Sequence, residues 1–343
     1  MKKIRVLICD DSAFMRMIIK DILDSQNDME MVGQATNGME AVERCLQILP
    51  DIITMDVEMP KLNGLEALKV IMKKSPTRII MVSSLTQEGA EITIEALENG
   101  AIDFVPKPSG SISTNFRTMA GVMLEKIRSA MTIDPQKAVV RPSIKRPITH
   151  RPFAVSGKVV MIASSTGGPK SLDFVIPLLP KDFPAPVVLI QHMPAGFTKS
   201  LAQRLNRISQ LRVIEASEGV VLEKATVYVA PGDYHLGLKS VDKKVQLFLD
   251  QGPKINGVRP AADFSFEQGV EIFREKTIGV VMTGMGRDGT KGAFKIKHFK
   301  GSIIAEAEET CVVYGMPKSV VQEGYSDFIL PSHQIAQKLV ELI

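Results

Sequence analysis

The chain has 343 residues, of which 45% are apolar and 23% are charged, and its net charge is +4 at pH 7. This length favours two domains, and the small net charge argues against the basic stripe of a nucleic-acid-binding protein. The three cysteines are scattered without metal-ligand spacing, and no apolar run is long enough to span a membrane. These features favour a cytoplasmic protein without membrane insertion.

The first part of the chain alternates short apolar runs with amphipathic segments. Five runs predict strands: IRVLICDD, MEMVGQAT, DIITMDVEMP, RIIMVSSL and AIDFVPKP. Apolar residues at helical spacing separate these runs, and a further helix is predicted over 116–131. Alternating strands and helices predict a five-stranded parallel sheet of the flavodoxin type, with helices on both faces, over residues 1–120.

Residues 121–156 complete this helix and then change in composition. Four prolines and five lysines or arginines lie between residues 134 and 157, and no acidic residue follows Asp134 there. Such a composition is typical of a linker between domains. We therefore expect a basic, proline-rich connection before a second domain.

The second domain is predicted over residues 157–343, where the alternation of strands and helices resumes. KSLDFVIPLL predicts a helix over 170–179, and HQIAQKLVELI predicts a closing helix. Two runs near residues 234–250 predict an antiparallel hairpin. The expected architecture is a doubly wound α/β domain with a mostly parallel sheet and one added hairpin.

Polar residues follow four predicted strands of the first domain: Asp10 and Asp11, Asp56, Ser83 and Ser84, and Lys107. In a parallel sheet the carboxyl ends of the strands meet at one edge, so these side chains are expected to converge. Three carboxylates repel one another unless a cation or a proton relieves them, and their hard oxygens suit Mg²⁺. One carboxylate is therefore a candidate phosphoryl acceptor, with a lysine and a hydroxyl beside it.

The motifs CDDS, MDVEMPKLNG, VSS and DFVPKP occur in this order and resemble the response-regulator receiver domain over about residues 1–120. The resemblance implies that Asp56 accepts a phosphoryl group from a histidine kinase. The implied Mg²⁺ ligands are Asp10, Asp11, Asp56 and the backbone carbonyl of Glu58. The implied phosphoryl contacts are Ser83 and Lys107, and the implied aromatic switch residue is Phe104.

Two adjacent serines, Ser164 and Ser165, lie between a predicted strand and a glycine pair. A nucleophile elbow requires small residues two positions before and after its serine, because the chain turns sharply there. Ala163 and Gly167 flank Ser165 in this way, whereas the bulky Ile162 precedes Ser164. Ser165 is thus the preferred nucleophile, and the alternative is a glycine-rich turn whose serine caps the next helix. The glycines match neither a dinucleotide-binding motif nor a P-loop.

A serine nucleophile needs a general base and an acid that orients the base. His192 ends the predicted strand VVLIQH at the same sheet edge and is the preferred base. Asp288 follows the strand TIGVVMTG and is the preferred orienting acid, although it would also suit the cap of the next helix. Backbone amides near Met285 are candidates to stabilise an oxyanion. The other histidines lie in the linker or lack a partner motif: His150, His235, His298 and His333.

The motifs ASSTGGP, QHMPAGFT, APGDYH and MTGMGRDGTKG resemble the chemotaxis-specific protein-glutamate methylesterases, the CheB family, and the match covers nearly the whole chain. The resemblance implies hydrolysis of glutamyl methyl esters, and deamidation of glutamines, on methyl-accepting chemoreceptors. It implies no cofactor at the esterase site and the catalytic residues Ser165, His192 and Asp288. The implied oxyanion and substrate-positioning residues are Thr166, Met285, Gly167 and Gly286. Ser164 stands where the family usually has alanine.

The two-domain layout leads us to expect autoinhibition in a monomeric protein. The unphosphorylated first domain is expected to cover the esterase cleft, and phosphorylation of Asp56 to weaken that docking. One alternative is a phosphorylation-switched binding module without catalysis, although no helix-turn-helix or basic recognition stripe supports nucleic acid as its partner. Another is an esterase or peptidase that acts on a different substrate.

Overall fold

The computed structural model describes residues 2–107, 112–133, 135, 148 and 157–343, with side chains described from residue 119 onward in the second range. Most of the predicted linker, together with His150, lies outside the described residues. The chain divides into two compact units, Met1–Arg141 and Pro142–Ile343. No helix among the described residues is long and apolar enough to cross a lipid bilayer.

The N-terminal unit contains a five-stranded sheet whose paired strands are all parallel. Its strands are β1 (Ile4–Cys9), β2 (Met29–Ala35), β3 (Ile52–Asp56), β4 (Arg78–Ser83) and β5 (Asp103–Pro106). Their spatial order is β2-β1-β3-β4-β5. The apolar runs of the sequence became buried strands because helices cover both faces of a parallel sheet. The predicted flavodoxin-like architecture is confirmed.

Helices connect these strands: α1 (Ala13–Asp24), α2 (Gly38–Ile48), α3 (Gly64–Lys74), α4 (Gln87–Glu98) and α5 (Ile112–Ala130). Polar side chains begin α1 to α4 by accepting a backbone N–H of the first turn: Ser12, Asn37, Asn63 and Thr86. The helix predicted over 116–131 begins four residues earlier, and it crosses the predicted boundary at residue 120. Near its end Arg128 pairs with Asp28 at 2.8 Å, which ties this helix to the N-terminal unit.

The C-terminal unit contains a seven-stranded sheet and a separate two-stranded hairpin. The sheet strands are β6 (Val159–Ser164), β7 (Val187–Gln191), β8 (Arg212–Glu215), β9 (Thr226–Val229), β12 (Thr277–Val281), β13 (Ser302–Glu306) and β14 (Phe328–Leu330). The hairpin strands are β10 (His235–Val241) and β11 (Lys244–Asp250), which pair antiparallel. The sheet order is β14-β13-β12-β6-β7-β9-β8, and all its pairings are parallel. The predicted doubly wound domain with an added hairpin is confirmed.

The helices of this unit are α6 (Gly168–Leu172), α7 (Phe197–Ile208), α8 (Ala262–Phe273), α9 (Thr290–His298), α10 (Met316–Gln322) and α11 (Ser332–Leu342). The single helix predicted over 170–179 is wrong, because α6 ends at Leu172 and a separate 3₁₀ turn covers Ile176–Leu178. Pro177 sits in that turn, where it lacks the N–H that a continuous helix would need. The short elements α10 and β14 were not predicted.

The core of the C-terminal unit lies on both faces of the central strands. Every residue of β6, β7, β9 and β12 is buried. Helix α8 lies against β6, where the Met161 sulfur fills the space beside Gly269. Because the central strands are fixed on both faces, the residues that follow their carboxyl ends are held in place.

Candidate functional sites

The first candidate site is an acidic cluster at the carboxyl edge of the N-terminal sheet. Asp10 follows β1 and Asp56 ends β3, which are neighbouring strands. Carboxylate oxygens of Asp10, Asp11 and Asp56, one from each, all lie within 4.8 Å of one another. Asp10 and Asp56 are buried, whereas Asp11 is exposed. The fold therefore brings together the three acids that the sequence placed at strand ends.

The Lys107 ammonium group contacts both buried acids of this cluster. Its Nζ atom is 2.7 Å from Asp56 Oδ2 and 3.4 Å from Asp10 Oδ2. Burial raises the pKa of Asp56 to about 6 and also raises the pKa of Asp10, while Lys107 offsets part of each shift. Burial acts to lower the pKa of Lys107, but its bonds to the two acids raise it on balance. Lys107 thus contacts two of the three acids, and the cluster retains negative charge that a further cation would offset.

The donors of this cluster fit a divalent cation. Carboxylate oxygens are hard ligands of the kind that Mg²⁺ prefers, and three are available here. Among the described residues, the buried Oδ2 atoms of Asp10 and Asp56 have only the Lys107 ammonium as a close partner. These residues are therefore suited to hold Mg²⁺.

The other residues predicted for this site are Ser83, Glu58 and Phe104. Ser83 is buried at the end of β4, and its hydroxyl accepts a hydrogen bond from Thr93 of α4 at 2.7 Å. Glu58 donates its backbone N–H to Asp56 Oδ1 at 3.3 Å. Phe104 is buried in β5. The Ser83 hydroxyl is engaged with α4 in this structure, so its contact with a phosphoryl group stays a prediction.

The second candidate site lies at the carboxyl edge of the C-terminal sheet, where β12, β6 and β7 are adjacent. Ser165 follows β6, and its backbone N–H donates to the carbonyl of Thr283, beyond β12, at 3.0 Å. His192 follows β7, and its backbone N–H donates to the carbonyl of Ser164 at 3.0 Å. An added Cβ on Gly284 would lie 2.7 Å from Ser165 Cβ, so this glycine is needed for the close approach. Ser165 and His192 therefore follow neighbouring strand ends.

The imidazole of His192 is paired with the carboxylate of Asp288. His192 Nε2 lies 2.7 Å from Asp288 Oδ2, and both side chains are buried. Burial acts to raise the pKa of Asp288, but the hydrogen bond and charge of His192 outweigh it and hold this pKa below its ordinary value. An ionised Asp288 accepts from Nε2–H and leaves Nδ1 of the same ring as the proton acceptor.

The carboxylate of Asp288 is held by the first turn of α8. The backbone N–H groups of Ala262 and Asp263 donate to its two oxygens at 2.6 and 3.1 Å. No side chain of α8 caps this helix, so Asp288 supplies the acceptor that these orphan donors need. The partial positive charge of a helix N-terminus also favours an ionised carboxylate there. The alternative role of Asp288 as the cap of the next helix is wrong, because α9 begins after Gly289 without a side-chain cap and Asp288 caps α8 instead.

Asn256 links Asp288 to a second buried acid. Its Nδ2 atom donates to Asp288 Oδ1 at 3.0 Å and to Asp263 Oδ2 at 2.9 Å. Burial raises the pKa of Asp263, and the charge of Asp288 raises it further. The amide of Asn256 therefore bridges the two carboxylates and offsets part of their mutual repulsion.

The alternative serine and histidine, Ser164 and His235, are both engaged in hydrogen bonds. The Ser164 hydroxyl is fully buried and donates to Gln191 Oε1 at 2.6 Å. The His235 ring is buried, with Nε2 3.0 Å from the carbonyl of Pro253, and its Nδ1 accepts the N–H of Ala261 at 3.2 Å. Both nitrogens of His235 are therefore occupied, which excludes it as a free general base here.

The predicted oxyanion and substrate-positioning residues lie in two segments beside Ser165. Thr166 and Gly167 precede α6, and the hydroxyl of Thr283 donates to the Thr166 carbonyl at 3.0 Å. Met285 and Gly286 lie in the loop after β12. Gly167 and Gly286 have φ angles of 78° and 82°, which favour glycine. The two segments are therefore joined to each other beside the candidate nucleophile.

Three residues that contact the candidate catalytic groups were missed by the sequence analysis: Gln191, Asn256 and Thr283. Gln191 precedes His192 and is buried at a strand end, which is an unusual place for an amide. An amide at the end of a strand predicted to be buried could therefore have been identified from the sequence. Asn256 lies in a loop 32 residues from Asp288, and no local pattern indicates their contact.

Each of the two units matches a different protein-family model. The family model described as CheB methylesterase matches residues 160–339. The model described as response regulator receiver domain matches residues 6–113. Each match covers one of the two candidate sites described above.

Relatives match over almost their whole length. A protein-glutamate methylesterase/protein-glutamine glutaminase of Thermotoga maritima is 61% identical over 340 residues, which cover 99% of this chain and 98% of that protein. One of Pyrococcus abyssi is 46% identical over 346 residues, covering 100% of this chain and 94% of that protein. The crystal structure of the Thermotoga maritima CheB methylesterase catalytic domain is 60% identical and covers 55% of this chain and 100% of that one, with a TM-score of 0.54. The chain therefore belongs to the CheB methylesterase family and carries an N-terminal response regulator receiver domain.

Proposed function

We propose that the chain is a phosphorylation-activated serine hydrolase that removes methyl groups from glutamyl methyl esters of methyl-accepting chemoreceptors and deamidates their glutamines. Its relatives are named protein-glutamate methylesterase/protein-glutamine glutaminase. The observation that carries the proposal is the buried pair of His192 and Asp288, 2.7 Å apart, beside the strand end that carries Ser165. The activity would serve adaptation in chemotaxis, in the cytoplasm and as a monomer.

In the proposed reaction, Ser165 Oγ attacks the ester carbonyl carbon while His192 Nδ1 takes the hydroxyl proton. Asp288 holds the ring through Nε2 and stabilises the imidazolium that forms. The C–O bond to the methoxy group then breaks, and the imidazolium proton leaves with it as methanol. Water attacks the acyl-enzyme with His192 again as base, which releases glutamate and regenerates Ser165. A glutamine substrate would release ammonia in place of methanol.

We assign the developing oxyanion to backbone amides of the two segments beside Ser165. The Met285 amide and Thr166 are the proposed donors, and the glycines Gly167 and Gly286 let the main chain approach the substrate. Support comes from the hydrogen bond between Thr283 and the Thr166 carbonyl, which links these segments at 3.0 Å. Fixed donors of this kind stabilise charge without reorganising during the reaction.

The receiver domain supplies the proposed control. A histidine kinase would donate the phosphoryl group to Asp56, with Mg²⁺ held by Asp10, Asp11, Asp56 and the carbonyl of Glu58. When bound, the cation offsets the charge that the phosphoryl donor brings to the acidic cluster. Lys107 and Ser83 would hold phosphoryl oxygens, and the side chain of Phe104 would reorient on activation. We propose residues 1–120 as the receiver, 121–156 as helix and linker, and 157–343 as the methylesterase.

Two adjacent serine substitutions test the catalytic assignment. Methanol release from methylated receptor should fall by several orders of magnitude in Ser165→Ala, because no other nucleophile replaces the hydroxyl. Ser164→Ala is the matched control, and it should lose no more than a few-fold because this buried hydroxyl donates to Gln191 Oε1. Equal losses in both variants, or a reversed order, would reject Ser165 as the nucleophile.

The control by phosphorylation needs a separate experiment. A phosphodonor with Mg²⁺ should raise methanol release in the wild-type chain and leave it unchanged in Asp56→Asn. Removal of residues 1–150 should also raise the rate, because the domain expected to cover the esterase cleft is then absent. The remaining part corresponds to the catalytic domain that was crystallised from the relative. An unchanged rate after this deletion would reject autoinhibition. A chain that binds methylated receptor but releases neither methanol nor ammonia would favour a binding module instead.

A further inference from the structure

The side chain of Gln191 bridges the two residues proposed as nucleophile and base. It is almost fully buried at the end of β7. Its Nε2 atom donates to the backbone carbonyl of Ser165 at 2.9 Å and to the backbone carbonyl of His192 at 3.3 Å. Its Oε1 atom accepts the hydroxyl of Ser164 at 2.6 Å. The amide thus joins the ends of β6 and β7 at the point where regular strand pairing stops, at the pair Ser164 and Gln191.

We propose that Gln191 is a positioning residue that sets the distance between the main chains of Ser165 and His192. The inference rests on the proposed function, in which these residues are nucleophile and base. A side chain that bonds both carbonyls limits their relative movement, because losing either bond would leave a buried polar group without its partner. Transfer of the hydroxyl proton depends on this distance.

The orientation of the amide follows from the chemistry of its neighbours. A carbonyl oxygen only accepts hydrogen bonds, so the two carbonyls require the NH₂ group of Gln191. A hydroxyl can donate, so Ser164 suits the oxygen of the amide. The opposite orientation would set the amide oxygen against two carbonyl oxygens. Ser164 therefore completes the bonding of a side chain that is already constrained by the residues on either side.

The glycine pair after the serines is part of the same arrangement. A Cβ added to Gly168 would lie 2.1 Å from Gln191 Oε1 and 2.9 Å from the Cβ of Ser164. No residue with a side chain fits there while Gln191 keeps its place. The sequence ASSTGG thus supplies the nucleophile, the donor to Gln191 and the space that its amide needs.

The test uses the full chain with a phosphodonor, methylated receptor and methanol release as the readout. Gln191→Met keeps the length of the side chain but removes its hydrogen bonds, and kcat should fall about 10- to 100-fold with KM within about twofold. Gln191→Glu keeps the length and, when protonated, one donor. Its kcat should exceed that of Gln191→Met at about pH 6 and fall below it as the carboxyl ionises against the two carbonyls by about pH 8.5.

The rate per folded molecule separates positioning from simple packing. A residue that only fills space would lower the free energy of unfolding in both variants, but kcat per folded molecule would stay close to that of wild type at each pH where the variant is folded. The inference is overturned if kcat of Gln191→Met stays within about threefold of wild type, or if the pH profile of Gln191→Glu matches that of wild type. If Gln191→Met does not fold, the pH profile of kcat in Gln191→Glu is the remaining test of the inference. An inactive wild-type chain would instead reject the proposed function, which Ser165→Ala checks independently.

Discussion

Glu306 is a fully buried acid near the candidate active site, and its replacement by glutamine tests how burial sets its charge. It ends β13, and its carboxylate receives hydrogen bonds from the N–H of Thr283 at 2.8 Å and from the hydroxyls of Thr310 and Ser171 at 3.0 and 3.3 Å. Burial raises its pKa from 4.5 to about 7, although these three bonds oppose the shift. The neighbouring Cys311 thiol stays neutral, because burial raises its pKa as well.

The direction of the pH effect follows from proton binding. Between pH 4.5 and pH 7 the folded chain holds a proton on Glu306 that the unfolded chain has lost, so stability falls as pH rises through this window. Compared with a side chain that never ionises, Glu306 therefore lowers the free energy of unfolding by about 3 kcal/mol at about pH 8, but by only about 1 kcal/mol at about pH 5. Glutamine has nearly the same shape and no charge, and the hydroxyls of Thr310 and Ser171 can accept from its NH₂ group.

Glu306→Gln should therefore be more stable than wild type at about pH 8, and its advantage should shrink by about 2 kcal/mol at about pH 5. Urea unfolding of the full chain at both pH values measures this, and the receiver contributes equally to variant and wild type. Glu309→Gln, an exposed residue in the same segment, is the control and should show no such difference. If Glu306→Gln proves less stable than wild type at the higher pH, the reasoning is refuted, since the three donors would then hold an ionised carboxylate.

Three further substitutions probe the two sites. Gly168→Ala should cost about 1–3 kcal/mol of unfolding free energy, because its Cβ would lie 2.1 Å from Gln191 Oε1, whereas Gly121→Ala in α5 has open space and should be neutral or stabilising by thermal melting. Asn256→Ala should lower kcat about tenfold and move the acidic limb of the pH profile upward, since the orienting carboxylate loses a donor. Asp56→Asn should abolish phosphate incorporation from acetyl phosphate and Mg²⁺, and labelling that persists would place the acceptor elsewhere.

Local patterns in the sequence were sufficient for the strands and for the residues at their ends. Apolar runs predicted both sheets, because a strand covered on both faces needs apolar residues at consecutive positions. Once the strands were placed, their carboxyl ends indicated Asp56, Ser165 and His192, since these residues directly follow or end predicted strands. The short elements α10 and β14 escaped this reasoning because seven and three residues are too few to show a clear period.

The chemical groups at the carboxyl edges of the sheets could be identified from the sequence, because strand ends are local features. The contacts that support those groups depend on the folded domain: Gln191 donates to two main-chain carbonyls, and Asn256 and the first turn of α8 hold Asp288. Asp288 is 96 positions from His192, and its partners lie on elements whose approach depends on how the whole domain packs. Hydrogen bonds act over about 3 Å, so a local pattern cannot specify them until packing has brought distant segments together.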